Sequence, residues 1–150
     1  MKGRFPYSKL VKYPHLFKLE IIVWEKYIEH NPNKFDSVDY DLRVGNGRTC
    51  PPQYLDYIKA DNSELTKLRV DVVAYTNSEI YIIEIKPVLS LGAIAQVLCY
   101  ETLFVQNRSP ELKTKTLIIY GNGHPDIAEY AVKTGVQIAD VGISDFRAYS

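Results

Sequence analysis

Arg69-Val70-Asp71-Val72-Val73-Ala74-Tyr75-Thr76-Asn77-Ser78-Glu79-Ile80-Tyr81-Ile82-Ile83-Glu84-Ile85-Lys86 decides how this chain folds. Two runs rich in Val, Ile and Tyr flank the polar tetrad Thr76-Asn77-Ser78-Glu79, which predicts an antiparallel hairpin. Asn tolerates the positive φ that tight hairpin turns demand. With Asn77-Ser78 as a two-residue turn, Thr76 pairs with Glu79, Asp71 falls opposite Glu84 and Arg69 opposite Lys86. A three-residue loop would shift that register by one. Opposed side chains on such a pair have Cβ atoms about 5 Å apart. Two carboxylates at that separation repel by roughly 3 kcal/mol at an effective dielectric near 20. A divalent cation between them reverses the sign. Hydrated, oxygen-rich sites of this kind suit Mg²⁺ or Mn²⁺ better than Zn²⁺. The plainer account makes Asp71 a hairpin polar residue and Glu84–Lys86 a surface ion pair. Against it, Val73, Ile80 and Ile82 share the acidic face and imply that this face is covered.

Outward from the hairpin, residues 16–30 carry a helical pattern between Pro14 and Asn31-Pro32, and residues 38–44 read as a strand ending at Gly45-Asn46-Gly47. Residues 90–106 form a second helix with Ser90 as a candidate cap. A strand over 115–120, a turn at Gly121-Asn122-Gly123, a helix over 125–134 opened by Pro125 and ended by Gly135, and a strand over 136–141 complete the chain. The order α-β-β-β-α-β-α-β predicts an α/β (mixed α+β) fold, a central mixed sheet flanked by helices. Residues 1–150 fit one domain, with a basic N-terminal arm over 1–15 and a long inter-strand loop over 45–66. The strand–Gly-Asn-Gly–helix passage lacks a third glycine and a Walker lysine, so it reads as a plain turn.

Eighteen Lys and Arg balance eighteen Asp and Glu, so the molecule as a whole is no electrostatic glue for nucleic acid or anionic membrane. No apolar run approaches the roughly 20 residues of a bilayer span, and no signal-peptide core opens the chain, which gives a cytoplasmic expectation with no membrane partner. Cys50 and Cys99 match no CxxC, zinc or iron–sulfur spacing; Cys99 falls in an apolar helical pattern and is expected buried. His15, His30 and His124 are scattered, in surface or capping roles.

At about 100° per residue, Glu20 lies at the middle of the stripe made by Leu16, Val23, Trp24 and Tyr27. A carboxylate so placed neutralises or finds a partner. It is a candidate third metal ligand, or a glutamate snorkelling at the core's edge. On the second helix Gln96 and Tyr100, four apart, point the same way.

With Glu20, Asp71, Glu84-Ile85-Lys86 and Gln96-Val97-Leu98-Cys99-Tyr100 in place, the chain resembles the PD-(D/E)XK nuclease superfamily, in its RecB-like branch. Val70 stands where the name-giving proline would be. The resemblance implies a restriction-endonuclease-like core and a stand-alone Mg²⁺-dependent DNA nuclease. Asp71, Glu84 and the Ile85 carbonyl would ligate the ion, and Glu20 would reach it directly or through water. Lys86 would orient the attacking water, while Gln96 and Tyr100 would steady the lysine and the substrate backbone. No iron–sulfur cluster is expected, because the four cysteines of the relatives that carry one are missing. A homodimer is expected by resemblance. A role in recombination or repair fits the same family. The competing reading is a non-catalytic nucleic-acid-binding or replication accessory protein that keeps the fold.

For DNA binding, Lys2, Arg4, Lys9, Lys12 and Lys18 alternate with Phe5, Tyr7, Tyr13 and Phe17 and no acid. Cation-plus-aromatic segments track phosphates and stack bases; an ordinary terminus with aromatics tucked onto the fold uses the same residues. Arg43, Arg48, Lys67 and Arg69 are candidates for a basic rim near the hairpin.

Overall fold

The computed structural model describes residues 1–48, 53, 56 and 63–149. Its elements are β1 (Phe5–Pro6), α1 (Lys18–His30), β2 (Ser37–Val44), β3 (Leu68–Tyr75), β4 (Glu79–Val88), α2 (Leu91–Arg108), β5 (Lys113–Asn122), α3 (Pro125–Lys133), β6 (Gln137–Asp140) and a closing 3₁₀ turn (Phe146–Tyr149). One six-stranded sheet runs β1-β2-β3-β4-β5-β6. Its first three pairings are antiparallel and its last two parallel, so the expected mixed sheet is present. Most of the 45–66 loop falls outside the described residues, as does Cys50.

β4 sorts the core. Tyr81, Ile83 and Ile85 face α1, joining Val23, Trp24, Tyr40, Val72 and Ile119. Ile80 and Ile82 face the opposite way, joining Val73, Tyr75, Ile94, Val97, Phe104 and Ile118 under α2 and α3. The strict alternation of an extended strand thus builds a helix–sheet–helix sandwich. Glu84, two residues beyond Ile82, belongs to the α2 face. That face is covered, as Val73, Ile80 and Ile82 imply.

Local chemistry sets the boundaries. The Ser90 hydroxyl accepts the Ala93 N–H, capping α2 as expected, and Gly135 takes φ +87° after α3. The hairpin turn has the expected register, with Thr76 N–H donating to the Glu79 carbonyl at 2.9 Å. Its mechanism differs. Asn77 does not take positive φ; instead the Thr76 hydroxyl accepts N–H bonds from Ser78 and Glu79. Gly121 and Asn122, expected in a turn, extend β5. A Cβ on Gly121 would lie 2.7 Å from the Pro87 carbonyl oxygen, so glycine lets the strands approach there.

The N-terminal arm is not free. Phe5–Pro6 pairs with Ser37 and Val38. Phe5 and Tyr13 set their rings edge-on to Tyr40 at 5.3 and 5.5 Å, and Tyr7 does the same to Trp24 at 5.8 Å. These aromatics belong to the α1-side core, which removes them as base-stacking platforms. A segment without regular periodicity gives no sequence signal for such docking. Phe17 remains exposed.

Candidate active site

The β3–β4 ladder runs from Tyr75 with Ile80 to Val72 with Ile83 and stops there. The next positions in register are Asp71 and Glu84. Asp71 Oδ2 instead accepts the Ile85 N–H at 2.9 Å, so a carboxylate ends the ladder and the two strands part around it. β4 stays fixed on its other side, where Glu84 pairs with Ile118 and Lys86 with Tyr120 of β5. Arg69 does not stand opposite Lys86. It pairs with Arg43 of β2, the strand that flanks β3 from Tyr75 to Leu68, while the β4 side of the ladder has already ended.

Glu84 is 3% exposed. Its Oε1 lies 3.3 Å from Lys86 Nζ, while its Oε2 is buried without any partner. The Asp71 and Glu84 carboxyls are within hydrogen-bonding reach of each other. Desolvation drives both above the usual carboxylate range. For Glu84 the Asp71 charge adds to the rise and Lys86 opposes it. For Asp71 the Ile85 N–H opposes, then the Glu84 contact. Two acids this close and this dry hold a proton between them when no cation is present.

α2 brings its pair to the same place. Gln96 is within hydrogen-bonding reach of the Tyr100 hydroxyl, and Glu84 and Asp71 both act on the phenol, which burial raises first. Glu20 sits in the first turn of α1, where its Oε2 accepts the Phe17 N–H at 2.9 Å. It is therefore a helix-capping carboxylate as well as a neighbour of the site. Burial raises its pKa, the Phe17 N–H opposes this, and Asp71, Lys86 and His15 act on it in turn. Among the described residues no three of His, Cys, Asp and Glu come close enough to encircle an ion. Glu20 thus stands in the electrostatic neighbourhood of Asp71 and Lys86.

Two residues of this neighbourhood carry no signal in the sequence reading. Asp41 occupies the β2 position between the pairs Tyr40–Val72 and Leu42–Val70, which sets it against Asp71. It has φ +52°, and its Oδ1 is buried without a partner. His15, also left-handed at φ +57°, lies with its Nδ1 3.3 Å from Arg69 Nη1 and acts electrostatically on Asp71 and Glu20. Positive φ away from glycine costs about 1 kcal/mol or more. An Asp inside a strand and a lone His give no hint of it.

The expected DNA-binding cations divide. Lys2 and Lys12 are exposed. Arg4 pairs with Asp39 at 2.9 Å, Lys9 with Glu29, Lys67 with Glu64 at 2.8 Å and Arg69 with Asp41 at 3.5 Å. Arg43 donates to the Glu64 carbonyl, and the Arg48 N–H donates to the Thr66 hydroxyl. Cys99 is exposed, against expectation, since it sits on the outer side of α2. His124 caps α3, accepting the Asp126 N–H. Among the described residues no helix is long and apolar enough to cross a membrane.

No protein-family model and no curated protein matches the chain. Among solved structures it is similar to the protein of unknown function AF1548, at 15% identity and a TM-score of 0.47 over 81% of this chain. The chain spans 55% of that protein's length.

Proposed function

We propose that this protein is a divalent-metal-dependent nuclease that hydrolyses DNA phosphodiester bonds. The observation that carries the reading is the Glu84 carboxylate, 3% exposed, with Oε1 3.3 Å from Lys86 Nζ and Oε2 buried without a hydrogen-bond partner. An ionic group left so costs several kcal/mol unless something supplies the missing charge. The donor set of two carboxylates suits a hard cation such as Mg²⁺, with Mn²⁺ as substitute. Asp71 and Glu84 would hold it, the Ile85 carbonyl is assigned by the resemblance, and Glu20 would act from a shell beyond. The bound ion supplies a lowered pKa for a nucleophilic water and offsets charge developing on the phosphoryl oxygens.

The chain's own groups then have distinct work. Lys86, held at 3.3 Å by Glu84, presents an ammonium at the edge of the carboxylate pair and can hold a water or a phosphate oxygen there. Tyr100 and Gln96 place a phenol and an amide beside the same carboxylates and would keep Lys86 from swinging away. The covering α2 face excludes solvent from one side, which strengthens these contacts.

The test pairs binding with turnover. Mg²⁺ and Mn²⁺ are titrated while thermal stability and product are followed on single-stranded, duplex, flap and four-way DNA. Cleavage that needs the ion and vanishes in folded Asp71→Ala and Glu84→Ala supports the reading. Cleavage retained in either variant rejects that residue's role. DNA binding with no product on any substrate supports the accessory-protein reading instead.

A further inference from the structure

A polar cleft of about 380 Å³ opens at the outer edge of β2, lined by Arg4, Asp41, Arg43, Glu64, Lys67 and Arg108. Four cations face two carboxylates there, a local surplus in a chain of zero net charge. We propose that this cleft is a phosphate-binding subsite for the DNA strand, and that the Glu64 carboxylate holds the phosphate's place until the strand arrives; this rests on the nuclease reading above.

Position favours the assignment. Arg43 is the cross-strand partner of Arg69, two residues from Asp71, so its backbone lies one strand over and about 7 Å along the strand direction from that of Asp71. Asp41, set against Asp71 on the neighbouring strand, forms its wall. A DNA strand with a phosphate at Asp71 and Glu84 that runs towards β2 would bring a neighbouring phosphate to this cleft.

Chemistry favours it as well. Glu64 lies 2.8 Å from Lys67 Nζ and 4.0 Å from Arg43 Nε. A carboxylate between a lysine and an arginine offers the charge and paired oxygens that a phosphodiester would offer. The cations are the fixed partners and the acid is the exchangeable one: the Lys67 and Arg43 side chains are 28% and 26% exposed, against 56% for Glu64. Arg43 is further held by its bond to the Glu64 carbonyl, and Arg108 is anchored over the Phe104 ring with its Nη2 on the Arg43 carbonyl. An exposed ion pair contributes little to stability, so replacing Glu64 by a phosphate costs the fold little.

The experiment measures binding of labelled DNA by fluorescence anisotropy in EDTA, across a salt titration, with the full chain. Glu64→Gln is expected to tighten binding by about five- to tenfold at low salt. Arg43→Ala and Lys67→Ala are each expected to weaken it and to reduce the salt slope by about one. Lys133→Ala on α3, paired with Glu129, serves as the control and leaves binding unchanged. Equal affinity of wild type and Glu64→Gln overturns the subsite while leaving the nuclease reading standing. A wild type that binds no DNA at any salt overturns the subsite, while the nuclease reading is decided separately by turnover in Mg²⁺. Should Glu64→Gln melt far below wild type, Arg108→Ala decides: weakened binding supports the cleft and unchanged binding overturns it.

Discussion

Glu84→Gln separates the electrostatics of the buried pair from everything else in the molecule. In wild type, desolvation and Asp71 push Glu84 up to about 9, against an unfolded carboxylate near 4.3. Between those limits the folded state holds a proton that the unfolded state has released. Stability therefore falls as pH rises through this window, by up to about 1.4 kcal/mol per pH unit for one proton. From pH 5.5 to 7.5 that amounts to roughly 2–3 kcal/mol, or about 5–10 °C in Tm for a chain of this size. The raised Asp71 adds in the same direction. Glutamine cannot titrate, so the variant loses this slope and becomes the more stable protein at neutral pH without metal. On the proposed reading Mg²⁺ narrows the gap, stabilising wild type by about 2.7 kcal/mol at a hundred times its Kd and leaving the variant's stability unchanged. That gain grows with pH, because binding displaces the shared proton. The assay is a thermal melt of both proteins across this pH range, in EDTA and in Mg²⁺. A wild-type minus variant difference that stays constant with pH in EDTA would refute the shared-proton account.

Lys86→Ala should fold, keep the metal-induced shift and lose cleavage by at least about a hundredfold, consistent with loss of a positioned cationic group; cleavage within tenfold of wild type contradicts the role given to the ammonium. Trp24 Nε1 donates to the Tyr40 hydroxyl at 2.9 Å in the α1-side core. Tyr40→Phe strands that buried donor and should cost about 1–3 kcal/mol in urea unfolding, and a loss under about 0.5 kcal/mol rules this out. Asp41→Gly removes both left-handed strain and an unpartnered oxygen, so it should stabilise by about 0.5–1 kcal/mol, whereas Asp41→Val should destabilise by about 2 kcal/mol. Matching stabilities for the two would mean that φ at this position carries no strain.

The hairpin was legible because two constraints agree: period-two alternation and a four-residue polar interruption admit one register, and that register sets Asp71 against Glu84. α1 and α2 followed from apolar spacing, with Val23, Trp24 and Tyr27 buried as the stripe requires. What escaped was tertiary. Phe5, Tyr7 and Tyr13 look like a cationic arm's aromatics until the pocket around Tyr40 exists to receive them. Asp41 reads as one more strand residue, since nothing in the local sequence marks the left-handed φ it takes between two ordinary ladder pairs. Glu20 illustrates a partial success: its stripe position marked it as unusual, but its bond to the Phe17 N–H is a local use of the same carboxylate that spacing alone does not distinguish.

Several departures from an ordinary fold meet around Asp71. Among the described residues, the buried side-chain atoms without partners are Asp41 Oδ1 and Glu84 Oε2, on the two strands that flank Asp71. Of the left-handed non-glycine residues, Asp41 and His15 lie there too, while Asn33 and Ser109 follow helix ends, and Asp71 and Glu84 are carboxylates that burial raises. A purely structural ion pair would leave no such residue of strain. Replacing Glu84 and Lys86 with packed apolar side chains would serve the fold as well or better, as it commonly does for buried pairs. A sheet that ends one ladder early, keeps two acids dry and tolerates a strained aspartate beside them is poorer as a scaffold than its own core allows. That deficit is intelligible when a cation and a phosphate complete the charge balance. The Glu84→Gln melt in EDTA measures the size of the deficit, and the Mg²⁺ titration tests whether an ion removes any of it.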